Sequence, residues 1–220
     1  MFLSEFQVNL GRRAAREMIS SPQLIHAAVL GCFPPGASSS DAARTLWRMD
    51  QADHAPKLFI SSPIQPDFSA LAEKAGWSNG GARSARYDEF LEDLTDGQSW
   101  RFRLTANPTV SVKDANRPLE RGRRLSHVTA TQQSEWLSVR AQRLGIILSD
   151  GDSPTFRLTQ RGTRQFTKQG GRHKVTIATA QFDGTLRVAD APRLRDALMN
   201  GIGGARAYGC GLMTLAPIGG

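Results

Sequence analysis

The order of apolar and polar positions divides the first half of the chain into strands and helices. Residues 2–10 (FLSEFQVNL) have the pattern of a β-strand. Ser20-Ser21-Pro22 is a helix start signal, because serine caps a helix and proline is tolerated in its first turn. The resulting prediction is a βαββαβ order with strands at 2–10, 44–50, 56–62 and 99–105 and helices at about 21–31 and 67–75.

The second half repeats this order more loosely. A βαββαβ unit is the ferredoxin-like pattern, an antiparallel four-stranded sheet with both helices on one face. Residues 76–97 do not fit neatly, since Asn79-Gly80-Gly81 is typical of a loop while 88–94 favours a short helix. The elements predicted after Asn107-Pro108 are a helix at 131–143, strands near 145–149, 155–160, 173–181 and 184–188, a helix at 190–199 and a strand at 212–216.

A glycine-rich run occupies residues 201–211, with five glycines in eleven positions and an arginine, Arg206, among them. Because glycine lacks a Cβ, such a backbone can approach a partner closely, and we expect a loop that contacts phosphate. The run follows a predicted helix and precedes a predicted strand, which is the reverse of a dinucleotide-binding motif or a P-loop. A helix C-cap with a tight turn is the alternative, and it explains Gly201 alone.

The positive charge is concentrated in the middle of the chain. The net charge is +8, whereas residues 101–174 hold 15 Lys and Arg against 5 Asp and Glu. Arginine supplies 23 of the 28 cations, and its planar guanidinium both grips phosphate and stacks on bases. The composition therefore favours a nucleic-acid partner over the alternative of a solvated basic surface. No basic amphipathic helix carries the charge, so a membrane surface is disfavoured.

Several functional classes find no support in the sequence. Cys32 and Cys210 are the only cysteines, and neither a CxxC pair nor a Cys/His cluster offers four metal ligands. We therefore expect no metal site, no disulfide framework and no cofactor. Because no long apolar run is present, we also expect no membrane span and a cytoplasmic location.

Four motifs, in this order along the chain, resemble those of one family. They are the opening strand at 1–10, WRFRLTANP at 100–108, FDGTLRV at 182–188 and the glycine-rich run with Leu215-Ala216-Pro217 behind it. Throughout its length the chain resembles CasE, the CRISPR-repeat endoribonuclease of type I-E systems.

The resemblance implies a fold, a substrate and partners. The fold class is α+β, with two tandem ferredoxin-like domains: residues 1–108 carry the catalytic histidine, and residues 109–220 carry a basic hairpin and the glycine-rich loop. The expected activity is metal-independent cleavage of CRISPR repeat stem-loop RNA to give mature guide RNAs. The expected partners are that RNA and the other subunits of the Cascade complex.

The resemblance also selects His26 as the catalytic residue. Among Leu24, Ile25 and Ala27, a histidine is by itself more typical of a packed position. CasE enzymes carry their active-site histidine on this helix, in register with His26. Related enzymes often have a tyrosine three residues earlier, where this chain has Gln23. Whether His26 acts as acid or base, and whether Gln23 weakens the activity, stays open on the sequence.

The predicted RNA contacts lie mainly on one hairpin. Residues 156–168 have the pattern of a hairpin strand with several arginines on one side, followed by a glycine-containing tip at 169–171. A second cluster at 117–124 either follows the RNA backbone or is a disordered basic loop. The residues predicted to contact RNA are Arg157, Arg161, Arg164, Lys168, Arg172, Lys174, Gly203, Gly204 and Arg206.

Two functions remain compatible with the sequence. The favoured one is the stem-loop endoribonuclease. The other is a non-catalytic ferredoxin-like RNA-binding protein, for which the basic middle and the glycine-rich loop suffice without His26. Gln23 is the main feature in favour of this second function.

Overall fold

The computed structural model describes residues 1–36, 44–51, 55–112, 123–167 and 174–219. Within these ranges the chain forms two βαββαβ units, one after the other, each with an antiparallel sheet. This arrangement confirms the predicted fold class of two tandem ferredoxin-like units.

The first unit has helices on only one face of its sheet. Its elements are β1 (Phe2–Gln7), α1 (Arg13–Ile19), α2 (Pro22–Leu30), β2 (Leu46–Asp50), β3 (Lys57–Ser62), α3 (Ser69–Ala75) and β4 (Ala82–Arg86), followed by the short helix α4 (Asp88–Glu92). The strand order is β2-β3-β1-β4, so the first and third strands lie in the centre. Phe6, Ile25 and Leu71 join the core between this sheet and its helices. The opposite face, which includes Leu3 and Phe59, points towards the second unit.

The second unit repeats the same topology with insertions. Its elements are β5 (Ser99–Ala106), β6 (Thr109–Val112), β7 (Arg123–Ser126), α5 (Ala130–Ser138), β8 (Ile146–Ile147), β9 (Ser149–Asp150), β10 (Ser153–Pro154), β11 (Phe156–Thr167), β12 (Lys174–Val188), α6 (Ala191–Asn200) and β13 (Met213–Ala216). The sheet order is β11-β12-β5-β13, with β8 also paired to β12. Phe102, Phe182 and Leu194 are buried in its core. The β6–β7 and β9–β10 hairpins are additions to the ferredoxin-like plan.

The interpretation that residues 99–105 close the first sheet is wrong. This strand, β5, pairs with β12 and β13 in the second sheet. The fourth strand of the first sheet is β4, which lies in the stretch that the sequence left unassigned. The sequence of β4, ARSAR, has mostly exposed side chains, so no apolar pattern marked it as a strand. The division into domains 1–108 and 109–220 stays a prediction, and the strand pairing favours a boundary before Ser99.

Other predicted boundaries shift for local reasons. Residues 173–181 and 184–188 were predicted as separate strands, but β12 runs unbroken through Gly184. A Cβ at Gly184 would lie 2.4 Å from the Thr155 carbonyl oxygen, so this glycine permits close strand packing. The helix predicted at 131–143 ends at Ser138 and is followed by a single 3-10 turn. Helix α1 and the β6–β7 hairpin were not predicted.

A buried arginine joins the two units. Arg48 of β2 donates from Nε and Nη2 to both carboxylate oxygens of Asp50, at 2.6 and 3.0 Å. Its Nη1 donates across the interface to the carbonyl oxygens of Arg103 and Leu212, at 2.9 and 3.1 Å, and its Nη2 donates to Thr214 Oγ1 at 2.9 Å. All five guanidinium N–H donors are thus used. Although β2 is an edge strand of its sheet, every one of its residues is buried.

Replacing Arg48 with alanine should destabilise the protein by about 3–5 kcal/mol, because Asp50 then loses its bidentate partner in a buried position. The measurement is urea denaturation of the full chain. Arg83→Ala is the matched control. Its side chain is 75% exposed against 2% for Arg48, and its ion pair with Glu5 should contribute about 0–1 kcal/mol. Equal effects of the two substitutions would contradict a joining role for Arg48.

Candidate functional site

Helix α2 begins as the sequence predicts and positions His26 one turn from its start. Ser21 is the N-cap, and its hydroxyl oxygen accepts a hydrogen bond from the Gln23 backbone N–H at 3.3 Å. Pro22 occupies the first turn. Ile25 and Val29 are buried on the inner face of the helix. His26, which follows Ile25, is half-buried. The side chain therefore lies at the boundary between the core and the surface.

The surroundings of His26 favour its neutral form. Its Nδ1 is buried and has no hydrogen-bond partner among the described residues. Burial lowers the pKa of His26 below its ordinary value, because removing the imidazolium from water costs free energy. Burial thus favours the neutral imidazole, which is the form that can accept a proton.

The glycine-rich run forms a loop that returns the chain from α6 to β13. Gly201, Gly203, Gly209 and Gly211 have φ values of 76°, 81°, 79° and 96°, in the region that favours glycine. A 3-10 turn, Arg206–Tyr208, lies at its centre. Gly201 does cap α6, so the C-cap interpretation holds at that position while the remaining glycines shape the loop.

This loop packs against the first unit. The turn Arg206–Tyr208 contacts both α2 and β2. A Cβ at Gly209 would lie 2.6 Å from the indole of Trp47, and one at Gly201 would lie 2.8 Å from Leu46. The close approach that the glycines were expected to permit is therefore made, at these two positions, to strand β2. The loop brings the second unit against the helix that carries His26.

The three residues of the loop predicted to contact RNA have different surroundings. Arg206 is half-buried, and its Nη2 donates to the Gly201 carbonyl oxygen at 3.0 Å. Burial, assisted by nearby Arg44, lowers the pKa of Arg206. A Cβ at Gly203 would lie 3.0 Å from Trp136, and one at Gly204 would lie 3.2 Å from Arg124 Nη1. Their RNA contacts stay predictions.

The long hairpin β11–β12 presents its arginines on two faces. A β-bulge between Leu158 and Gln160 shifts the register, because Leu158 lies opposite Phe182 whereas Gln160 lies opposite Gln181. Arg157, opposite Asp183, and Arg164, opposite Ile177, consequently share the face that points away from the helices. Arg161 lies opposite Ala180, on the other face.

Arg164 is the hairpin cation that the described structure brings to the glycine-rich loop. The neighbouring Phe166 packs with Ile177 and Cys210 on the same face. The Phe166 ring is also 4.7 Å from the ring of Tyr208 in the loop. Burial raises the pKa of the Cys210 thiol, and the positive charge of Arg164 opposes that rise, as expected of a guanidinium near the loop. Tyr208 was missed in the sequence because an aromatic residue between glycines gave no sign of its partner.

The other predicted cations are dispersed. Arg161 is tied to the start of α5, since its Nε donates to Gln133 Oε1 at 3.0 Å and its Nη2 donates to the Val128 carbonyl oxygen. Arg157 lies at the far end of the strand, in a cleft between the two sheets. Lys174 is exposed at the start of β12. Lys168 and Arg172 lie outside the described residues, as does most of the basic cluster at 117–124.

Two further features of the described residues concern metal ions and membranes. Within the described ranges, no group of three or more His, Cys, Asp or Glu side chains is placed to hold a metal ion. No described helix has both the length and the apolar composition needed to span a membrane.

Comparisons with known proteins identify the family of this chain. The family model of the CRISPR associated proteins matches residues 1–217. The CRISPR-associated endoribonuclease Cse3 of Thermus thermophilus is 30% identical, covering 99% of this chain and 100% of the relative. The Cascade subunit CasE of Escherichia coli K12 is 32% identical over 125 residues, which are 53% of this chain and 57% of that protein.

Solved structures extend the likeness to the whole fold. A structure of Thermus thermophilus Cse3 with an RNA that represents a pre-cleavage complex has a TM-score of 0.80 at 26% identity, covering 98% of both chains. A Cse3 structure with a 19-nucleotide RNA has a TM-score of 0.81 at 25% identity, covering 98% of this chain and 99% of that one. Because sequence and fold agree from one end to the other, this chain belongs to the CRISPR associated protein family, in the group that contains Cse3 and CasE.

Proposed function

We propose that this chain is a metal-independent endoribonuclease that cleaves CRISPR repeat stem-loops in precursor RNA and keeps the product as a subunit of a Cascade complex. The full-length likeness to an endoribonuclease of that name supports the activity. The likeness to a named Cascade subunit supports the assembly. We place the activity in the cytoplasm. The observation that carries the proposal is the meeting of the His26 helix with the glycine-rich loop and, through Tyr208, with the basic hairpin.

The chemistry requires four tasks at one phosphate. Without a metal ion, the ribose 2′-OH attacks the adjacent phosphorus, so the enzyme must align it, remove its proton, protonate the leaving 5′-oxygen and neutralise the charge of the transition state. A neutral, half-buried imidazole suits proton removal, and we assign His26 as the general base. Among the described hairpin cations, Arg164 is the one we assign to stabilise the phosphate charge beside the loop, because it shares a face with Phe166, which packs against Cys210 of the loop.

Recognition of the stem falls to the hairpin β11–β12. An A-form stem has a deep, narrow major groove, so basic side chains on such a hairpin sense phosphates and helix shape more than base identity. Arg161 and Lys174 are exposed at separate places along the hairpin and face solvent on two strands. They are suited to follow the phosphates of the stem, while Arg164 acts nearer the cut.

A non-catalytic RNA-binding function remains the second candidate, and Gln23 is the observation that favours it, since an amide is a poor proton donor. The two candidates separate in one experiment. A repeat stem-loop incubated with the purified protein in excess EDTA is cut by a metal-independent endoribonuclease and left intact by a binding protein.

His26→Ala should reduce the cleavage rate by about 10²-fold or more and leave stem-loop affinity unchanged, because the imidazole acts in proton transfer. Single-turnover cleavage and a binding titration check the two effects. A substrate with deoxyribose just 5′ of the cut should bind normally and resist cleavage. A product that ends in a 3′-hydroxyl would rule out attack by the 2′-OH.

The pH dependence tests the assignment of His26 as base. Burial lowers its pKa, so the neutral form should persist at pH 7 and the rate should fall as pH drops through a value below about 6.5. The measurement is kcat/KM from about pH 5 to 8. The residual activity of His26→Ala should not show this fall in rate at low pH. A rate that instead falls as pH rises through that value would make His26 the acid.

Replacing Arg161 and Arg164 together with alanine should weaken stem-loop binding and flatten its salt dependence. Each lost phosphate contact removes about 0.7 to 0.9 from the slope of log affinity against log salt concentration. Only Arg164→Ala should also lower the single-turnover rate at saturating enzyme, since Arg161 is held at α5. Lys74→Ala, an exposed cation on the helix side of the first sheet, is the control. An unchanged slope in the double variant would place the stem elsewhere.

A further inference from the structure

The proposed mechanism requires a proton donor that His26 and Arg164 do not supply. His26 is assigned as the base that takes the proton of the 2′-OH, so it cannot protonate the leaving 5′-oxygen in the same step. Arg164 cannot do so either, because a guanidinium is not deprotonated in proteins. The donor must therefore be another side chain, near both helix α2 and the hairpin β11–β12.

Tyr208 adjoins both of these elements. The turn that ends with it, Arg206–Tyr208, contacts α2. Its ring centroid is 4.7 Å from that of Phe166 in β11. Phe166 shares a face of the hairpin with Arg164, since the two residues are two positions apart on a regularly paired part of the strand. The turn thus lies against the helix of the proposed base, and the ring packs on the strand of the proposed phosphate-binding cation.

The backbone around Tyr208 is held in an uncommon conformation. Ala205 has a φ of 57°, and among the described residues it is the one non-glycine residue with a positive φ. Gly209, on the other side of the turn, has a φ of 79°. The Tyr208 backbone N–H closes the turn by donating to the Ala205 carbonyl oxygen at 2.9 Å. Left-handed backbone at a residue with a Cβ costs free energy, and such strain concentrates where a protein fixes a functional side chain.

The hydroxyl of Tyr208 is available to a substrate. It has no hydrogen-bond partner among the described residues, and it is not one of the buried polar atoms that lack a partner. Tyr87, the other tyrosine of the chain, is 5% exposed and stacks on Phe90. The Tyr87 hydroxyl is buried, and burial raises its pKa. Of the two tyrosines, Tyr208 is thus the one whose phenol can meet RNA.

Other described groups that carry a transferable proton are less suitably placed. The Cys210 thiol is fully buried, and burial raises its pKa. Lys174 lies on the same face of the hairpin as Arg161, away from the loop. His127 is on that side too, since Gln133 donates to its carbonyl oxygen and accepts a hydrogen bond from Arg161. Tyr208 is therefore the described proton donor that adjoins the candidate site.

We infer that Tyr208 is the general acid of the cleavage step, an assignment that rests on the proposed function. The 2′-oxygen bonds to phosphorus while His26 takes its proton, and the bond from phosphorus to the 5′-oxygen breaks. The Tyr208 hydroxyl gives its proton to that oxygen and becomes a phenolate. The products are a 2′,3′-cyclic phosphate and a 5′-hydroxyl, and water carries the proton from the imidazolium back to the phenolate. A phenol suits this role because phenols are protonated at neutral pH.

The experiment uses a stem-loop in which sulfur replaces the bridging 5′-oxygen at the cut. Because thiols are much stronger acids than alcohols, a thiolate leaves without being protonated, and this substrate needs a base but no acid. On the ordinary stem-loop, Tyr208→Phe should lower the single-turnover rate at saturating enzyme about 10²-fold or more and leave affinity unchanged, because the hydroxyl is lost while the ring stays on Phe166. On the sulfur substrate, Tyr208→Phe should match the wild type within about twofold.

Two variants are the controls. Tyr87→Phe removes the other, buried hydroxyl and should keep the wild-type rate on both substrates. His26→Ala lacks the proposed base and should stay slow on both. Tyr208→Phe should also unfold at the wild-type temperature, since the hydroxyl that it loses bonds no described residue.

Three results would overturn the inference. A wild-type rate of Tyr208→Phe on the ordinary stem-loop would show that its hydroxyl takes no part in the reaction. An equal loss of rate on both substrates would show that the hydroxyl supports structure or binding. Recovery of His26→Ala on the sulfur substrate would make the imidazole the acid. Each of these results leaves cleavage by the wild type intact, whereas a wild type that cuts neither substrate rejects the proposed function and this assignment with it.

Discussion

The bidentate pair of Arg48 and Asp50 is the interaction on which the arrangement of the molecule depends. Both residues belong to β2, and the guanidinium reaches the backbone of β5 and of Leu212, just before β13, in the second unit. A buried arginine is tolerated only when its donors are all satisfied, and here acceptors from both units are required. The relative position of the two sheets is therefore specified by hydrogen-bond geometry, which is more directional than apolar contact.

The candidate active site depends on this arrangement of the two units. His26 belongs to the first unit, whereas the loop and the hairpin cations belong to the second, so neither unit holds the complete site. Gly201 and Gly209 let the loop approach β2 at distances that a Cβ would forbid. Tyr208 then links the loop to Phe166 at the hairpin. In the proposed mechanism, packing across the interface brings the proton-transfer group and the phosphate-binding groups together, so the stability of that interface would be a condition for catalysis.

The sequence could predict those features that have local signals. The cap of α2, the position of His26 on it, the tandem ferredoxin-like plan and the glycine-rich turn after α6 all follow from patterns within a few residues or from family motifs. The polar strand β4 and the assignment of β5 to the second sheet could not be predicted, because exposure and strand pairing are set by tertiary structure. The joining role of Arg48 has no local signal either, since its acceptors in the second unit lie more than fifty residues away.

The β-bulge near Thr159 makes one strand serve two surfaces. Side chains of a strand alternate, so an uninterrupted β11 would place Arg157 and Arg161 together and Arg164 opposite. The extra residue of the bulge reverses this alternation of faces for every later residue of β11. Pairing every residue of β11 without a bulge would turn Arg161 towards the glycine-rich loop and Arg164 towards α5, with no change in composition. Deleting Thr159 would instead remove the extra residue and leave both arginines on their present faces. The faces that Arg161 and Arg164 occupy are thus set by one extra residue in the strand as much as by the identity of the arginines.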